Sequence, residues 1–191
     1  MENQRKNNDK RLRSGERQIR NKINEVEWNH KWRYCQALNY ITNDDVVLDV
    51  GVGCGFGSNI LSLLAKKVIG LDDSEEAIHY ANKVWKQPNI EFVNKNALDF
   101  NEKVDVICAF EIIEHLKDDV ALFNKFKELT PRYIIISTPH ISVSVSKSRW
   151  HWRHYSQERI QELFDSIGYN TIINKTVKFK SLAVFAVGEK R

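Results

Sequence analysis

No apolar run in this chain approaches the roughly 20 residues that a membrane-spanning helix requires. The N-terminus is polar and charged, without the apolar core segment of a secretion signal. Cysteine is scarce: Cys35, Cys54 and Cys108 form an odd set without metal-site spacing. Reduced thiols in a cytoplasmic compartment are the expectation. Nothing near Cys54 or Cys108 in sequence would activate a thiolate, so both read as small packing residues. Internal repeats and low-complexity linkers are absent. What remains is a chain of 191 residues with 42% hydrophobic and 10% aromatic residues. That is one soluble globular domain by length and composition, large enough to bury about 70% of its unfolded surface.

The net charge of +4 is modest, but its distribution is uneven. Arg5, Lys6, Lys10, Arg11, Arg13, Arg17, Arg20 and Lys22 face only Asp9 and Glu16. A basic arm of this kind could touch nucleic acid or an anionic surface. No aromatic residue is interleaved before Trp28, which favours a solvated, frayed terminus instead.

The densest information lies at Val46-Val47-Leu48-Asp49-Val50-Gly51-Val52-Gly53-Cys54-Gly55-Phe56-Gly57. A hydrophobic strand ends at Asp49 and opens into a loop with glycine at every second position. Such a loop carries few side chains, so its backbone can lie against a ligand. A following helix would aim its first N–H groups at the same place. The layout is that of a nucleotide-type pocket at the carboxyl edge of a parallel strand. The dinucleotide fingerprint needs a third glycine where Phe56 stands. A bulky side chain there would crowd a pyrophosphate, so the loop suits S-adenosylmethionine better than NAD.

A second acidic element follows. Val68-Ile69-Gly70-Leu71-Asp72-Asp73-Ser74 reads as a short strand ending in acid. Asp72 lies about 20 residues past Gly51, where a carboxylate grips ribose hydroxyls. Asp73 or Ser74 suits the cap of the next helix.

Beyond these, strand patterns at 46–50, 67–71, 90–93, 104–109 and 133–137 alternate with helical patterns at about 57–65, 75–85, 117–129 and 156–167. Strictly alternating strand and helix predict a parallel sheet. The Val- and Ile-rich strands fit burial on both faces. Gly168 suits a helix C-cap. Strands at 170–176 and 182–187 are joined too closely for a crossover, so one pair should be antiparallel. Residues 1–14 read as a disordered basic arm and 15–191 as one domain. Within it, 15–42 form a helical lid and 43–191 an α/β core with a loop at about 139–156. Trp28, Trp32 and Cys35 recur at helical spacing as one face, with His30, Arg33 and Tyr34 on others.

Asp49–Gly55, Gly70-Leu71-Asp72, Phe110-Glu111-Ile112-Ile113-Glu114-His115-Leu116 and Ile136-Ser137-Thr138-Pro139 resemble the class I S-adenosylmethionine-dependent methyltransferases in order and spacing. The resemblance covers about residues 40–188. It implies a Rossmann-like, doubly wound, mostly parallel sheet of seven strands with helices on both faces. It implies a cofactor lying across the carboxyl ends of the first strands, held by Asp49, Gly51, Val52, Gly53, Asp72, Asp73, Asn96, Ala97 and Phe110. Family members usually place Asp where Asn96 stands, to accept from the adenine amino group; the Asn oxygen can do the same, or Asn96 can simply cap a turn. Phe110 would line the methionine part, where an aromatic face beside a sulfonium is worth about 0.5–2 kcal/mol. Helices ahead of the first strand often cover the cofactor in that family, so Arg33 or Tyr34 could meet the methionine carboxylate. The competing assignment puts the Trp face in the core and these residues at the surface.

The reaction end is the most ambiguous. Glu111, Glu114 and His115 would share one face of a helix and could hold a divalent metal. They resemble the Glu-x-x-Glu-His motif of small-RNA 2′-O-methyltransferases and ubiquinone-biosynthesis O-methyltransferases, with His154 or His140 as a further ligand. Because Glu-His-Leu also recurs in methyltransferases with no assigned metal, a metal is not favoured, and His115 could orient the acceptor or take its proton. The polar, aromatic stretch His140, Ser142, Ser144, Trp150, His151, Trp152, Arg153, His154, Tyr155 reads as an acceptor-binding lid. Trp150 and Trp152 could stack on a ring or sugar, and His154 is a candidate general base. Ser156 suits the cap of the next helix.

The leading expectation is methyl transfer from S-adenosylmethionine to a small-molecule oxygen or nitrogen acceptor, with His115 and His154 as the catalytic candidates. The alternatives are a metal-dependent RNA 2′-O-methyltransferase using the basic arm, a catalytically silent S-adenosylmethionine-binding protein, and an NAD-dependent oxidoreductase, which Phe56 disfavours.

Overall fold

The computed structural model describes residue 12 and residues 17–191. The runs Val46–Val50 (β1), Lys67–Asp72 (β2), Val106–Phe110 (β4) and Tyr133–Pro139 (β5) are almost continuously buried. Ile90–Asn94 (β3) alternates between buried and exposed positions at its start, as befits an edge strand. Together with Tyr169–Lys178 (β6) and Leu182–Lys190 (β7) they form one seven-stranded sheet in the order β3-β2-β1-β4-β5-β7-β6. The first five strands are parallel, and β7 runs antiparallel to both β5 and β6.

Helices cover both faces, as the resemblance implies. Trp28–Ala37 (α1), Phe56–Leu61 (α2) and Glu75–Val84 (α3) pack over one apolar layer that includes Val47, Val68, Val106 and Ile135. Asp119–Leu129 (α4) and Gln157–Ser166 (α5) close the other, built on Leu48, Ile69, Ile107 and Ile134. Successive residues of each central strand feed opposite layers, as the two-residue period requires. Caps define the helix starts: Ser74, Asp118 and Ser156 each accept from the backbone N–H three residues on. Gly168 ends α5 at φ 81°.

Three expectations are corrected. The segment 15–40 is not helical throughout: residues 17–27 run without an α-helix, with one 3-10 turn at Ile23–Glu25, before α1 begins. The helix expected at 57–65 ends at Leu61, and Leu63 is exposed. The Trp28–Trp32–Cys35 face is not the buried face of α1. Trp28 and Cys35 are exposed, while Arg33, Tyr34 and Ala37 are buried. Polar partners decide the orientation: Tyr34 and Arg33 each meet a carboxylate inside the fold, and burial of polar groups is tolerated only with such partners. The basic arm at 1–14 lies outside the described residues except for Leu12, which is buried against Cys54 and Ala77.

Candidate functional site

The carboxyl ends of β1, β2 and β4 open into a cavity of about 720 Å³. The glycine loop forms its floor. Gly51, Gly53 and Gly55 all have positive φ, and a Cβ on Gly51 would stand 2.8 Å from the Ile112 side chain. The loop is held from within: Val52 N–H donates to the Leu71 carbonyl at 2.9 Å, and Gly53 N–H donates to Asp72 Oδ2 at 2.9 Å. The loop thus binds to the end of β2 rather than forming an open nest of N–H groups.

Asp49 does not reach this cavity, contrary to its expected role as a cofactor ligand. It is fully buried beneath the loop, and its two oxygens accept from Tyr34 Oη at 3.2 Å and Ser58 Oγ at 2.7 Å. Burial raises the carboxyl to about 7, against the two hydroxyl donors, which pull it down. Its place is that of a structural pin joining β1 to α1 and α2.

The other expected cofactor residues, Gly51, Val52, Gly53, Asp72, Asp73, Asn96, Ala97 and Phe110, all line the cavity. Asp72 is nearly buried; its Oδ1 accepts from Arg17 Nη2 at 2.7 Å, Arg17 Nε at 3.0 Å and Ser74 N–H at 2.9 Å. Asp73 is exposed and also pairs with Arg17, at 2.8 Å. Asn96 caps a short turn, accepting from Leu98 N–H through Oδ1 at 2.9 Å. Phe110 lies edge-on to Tyr34 at 4.8 Å between centroids.

The sequence reading counted Arg17 only as part of the basic run, not as a residue of the site, and left Arg33 undecided. Arg33 is buried, pairs with Glu111 at 3.2 Å, and has no partner for its Nε among the described residues. Its Nη1 lies 3.3 Å from His30 Nδ1. Burial first, and the Arg33 charge second, lower His30 to about 4, so its ring is neutral at pH 7. Glu111 sits at φ 55° directly after β4 and also accepts from Ser137 Oγ. That turn explains why Glu111, Glu114 and His115 do not form the expected set. Residues 113–115 are a 3-10 turn, Glu111 is drawn to Arg33, and Glu114 turns inward. Instead, Glu114, His115 and His151 bring one carboxylate oxygen and two ring nitrogens within 4.8 Å of one another. Glu114 is fully buried, accepts from Thr138 Oγ1 at 3.1 Å, and has no partner for Oε1 among the described residues. Burial first, and the charge of Glu111 second, hold its pKa well above the usual carboxylate range.

The loop after β5 supplies the far wall through Arg149, Trp150, His151 and Trp152. His115 lines the cavity as expected, with Nδ1 at 3.2 Å from the Trp150 carbonyl. His154 does not. It is buried behind His151, with Nε2 at 2.7 Å from His151 Nδ1 and Nδ1 at 2.7 Å from the Val143 carbonyl. His140 is likewise outside the cavity lining, its Nδ1 bonded to Ser142. The His-Trp-Arg-His spacing was the available signal, but it could not say which histidine faces inward.

A methyltransferase-domain family model matches residues 41–177. The chain belongs to the class I S-adenosylmethionine-dependent methyltransferase family. A probable S-adenosylmethionine-dependent methyltransferase of Mycolicibacterium smegmatis is 28% identical over 167 residues, which are 82% of this methyltransferase chain and 64% of the relative. The chain therefore spans a little under two thirds of that protein's length. Among solved structures, the N-methyltransferase NodS of Bradyrhizobium japonicum with S-adenosyl-L-homocysteine superposes with a TM-score of 0.71 at 16% identity, covering 85% of each chain. Magnesium protoporphyrin IX methyltransferase of Synechocystis with the same ligand gives 0.71 at 15% identity, over 85% of this methyltransferase and 82% of that chain. No helix among the described residues is long and apolar enough to cross a membrane.

Proposed function

We propose that this domain binds S-adenosylmethionine in the 720 Å³ cavity and transfers its methyl group to a small-molecule oxygen or nitrogen acceptor. When bound, S-adenosylmethionine supplies a methyl group already activated on a sulfonium. The protein's task is then chiefly to position acceptor and donor.

The observation that carries this reading is Arg33: a buried guanidinium whose Nε has no partner among the described residues, lining the same cavity as the Asp72 carboxylate. A buried donor of this kind calls for an anionic acceptor. The residues fit a molecule with a diol at one end and a carboxylate at the other. Asp72 would hold the ribose hydroxyls, Asn96 and Ala97 the adenine edge, Phe110 the sulfonium region and Arg33 the methionine carboxylate. Trp150 and Trp152, both partly exposed on the opposite wall, would receive the acceptor.

A small acceptor is favoured over RNA by the two arginines of the basic run, among the described residues, that turn inward. Arg17 is spent on Asp72 and Asp73, and Arg20, buried, donates to the carbonyls of Ile19 and Glu25. The relatives agree in kind, since the two structural neighbours are named as an N-methyltransferase and a porphyrin methyltransferase.

Calorimetric titration with S-adenosylmethionine and S-adenosylhomocysteine tests the reading. Micromolar binding, lost in Asp72→Ala, is expected. No binding by the folded protein overturns it.

A further inference from the structure

Lys175, Val177 and Phe179 recur at every second position along β6 and just beyond its end, so they share one side of the hairpin. That side meets α1. Lys175 Nζ stands 5.4 Å from the Trp32 ring centroid, and Phe179 lies edge to face with the same ring at 5.4 Å. Pro139 of β5 pairs with Ala183 of β7, which puts the hairpin tip at the carboxyl edge of the parallel strands. Between the start of α1 and that tip is a second cavity, of about 660 Å³. Arg33, which lines the first cavity, holds its guanidinium 5.3 Å from the Phe179 centroid. One ring therefore stands between the two.

We propose that this second cavity is a binding site for an aromatic carboxylate, separate from the 720 Å³ cavity. It stands independently of the function proposed above. Its walls are aromatic: Trp28, Trp32 and Phe179. Trp28 is 66% exposed, an apolar surface that folding alone leaves uncovered. The volume is that of a small-ligand pocket, about 300–1,000 Å³.

Charge decides the sign of the ligand. Aromatic walls also suit a cation, but Trp32 and Phe179 already hold Lys175 and Arg33. The polar groups at the rim are mostly ammonium. Lys178 has no ion pair among the described residues. Lys180 meets Glu27 at 3.1 Å, with the lysine 83% exposed. Such a surface pair is weak, so Lys180 is available to a stronger anion. With Lys175, three lysines stand against one glutamate. A flat ring between Trp28 and Phe179, with a carboxylate towards Lys178, satisfies both walls and rim. The chain's own leading residues have the wrong sign, since Arg5, Lys6, Lys10 and Arg11 outnumber Glu2 and Asp9.

Calorimetry of the full chain with naphthalene-2-carboxylate tests this. A Kd of about 0.1 mM is expected, about tenfold weaker in Trp28→Ala and in Lys178→Glu. Both side chains are exposed, so these variants should fold as the wild type does, which circular dichroism checks. A naphthyl trimethylammonium ion, with the same ring and the opposite charge, should bind at least about tenfold more weakly. Asp72→Ala should leave the carboxylate's affinity unchanged, and Trp28→Ala should leave that of S-adenosylhomocysteine unchanged. Equal affinity for the two naphthyl ions overturns the proposal, as does no binding by the folded chain. Loss of the probe in Asp72→Ala, or full affinity in Trp28→Ala or Lys178→Glu, places the ligand elsewhere and also overturns it. So does a dimer in sedimentation that Trp28→Ala dissociates, which would make the cleft an interface between copies.

Discussion

The Tyr34 hydroxyl donates to Asp49 at 3.2 Å beneath the glycine loop, joining the lid helix to the first strand of the sheet. That carboxylate is fully buried, and the bond is one of two that compensate it among the described residues. Asp49 therefore positions the cavity from beneath while Tyr34 also lines it, and the carboxyl gives the fold a pH dependence.

Asp49 titrates at about 7 in the folded state against 3.8 for an ordinary carboxylate. A raised folded pKa means that its protonated form is favoured in the fold. Its contribution is fully present below about pH 4 and is lost as pH rises through 7. At about 1.4 kcal/mol per unit, the loss is on the order of a few kcal/mol. Asp49→Asn keeps the shape and removes the charge. Denaturant unfolding should show the variant gaining on the wild type between pH 4 and 7, with a level difference above. Parallel profiles would refute the assignment.

Gly57 in α2 lies flat against the Tyr34 ring, where a Cβ would stand 1.9 Å from Cζ. Gly57→Ala should destabilise by about 3 kcal/mol or more, because neither helix can move without breaking the Asp49 contact. Thermal unfolding measures this. Adding Tyr34→Ala, which removes the clashing ring, should make the effect of the alanine at 57 much smaller.

Arg17 occupies the Asp72 oxygen that a ribose hydroxyl would need. Arg17→Gln should tighten S-adenosylhomocysteine binding several-fold in calorimetry. Asp72→Asn should weaken it about 10–100-fold, as loss of a charged hydrogen bond costs roughly 1.5–3 kcal/mol.

Arg33 can be separated from Asp72 by the choice of ligand. Arg33→Gln should weaken S-adenosylhomocysteine about tenfold yet leave 5′-methylthioadenosine, which lacks the amino acid end, unchanged. Equal losses for both ligands would mean that Arg33 only supports the fold.

Thr130 ends α4 at φ 57°, a left-handed conformation that a β-branched residue resists. Thr130→Gly should raise stability by about 1 kcal/mol without altering cofactor affinity. Glu111→Gly relieves the same kind of strain but removes the partner of Arg33, so it should cost cofactor affinity.

The sequence by itself determined the sheet and the edge at which the cavity opens. Strand-length Val and Ile runs, alternating glycines and the two strand-ending acids are local patterns whose meaning does not depend on distant contacts. Asp72 and Phe110 could be placed at the cavity because a residue at the carboxyl end of a parallel strand faces the crevice. Tertiary structure alone decided Asp49, α1 and the histidines. Asp49 lies one residue before the cavity lining begins at Val50, and two hydroxyls from other elements claim it. Hydrophobicity would have put Trp28 inside as well as Trp32, which does pack against the core. The carboxylates of Asp49 and Glu111 rotate the helix so that Tyr34 and Arg33 are buried instead. His151 and His154 are three residues apart in a loop without a repeat that fixes direction. Only the folded loop, which ties His154 to the Val143 carbonyl eleven residues away and leaves His151 in the cavity lining, settles which ring faces the cavity.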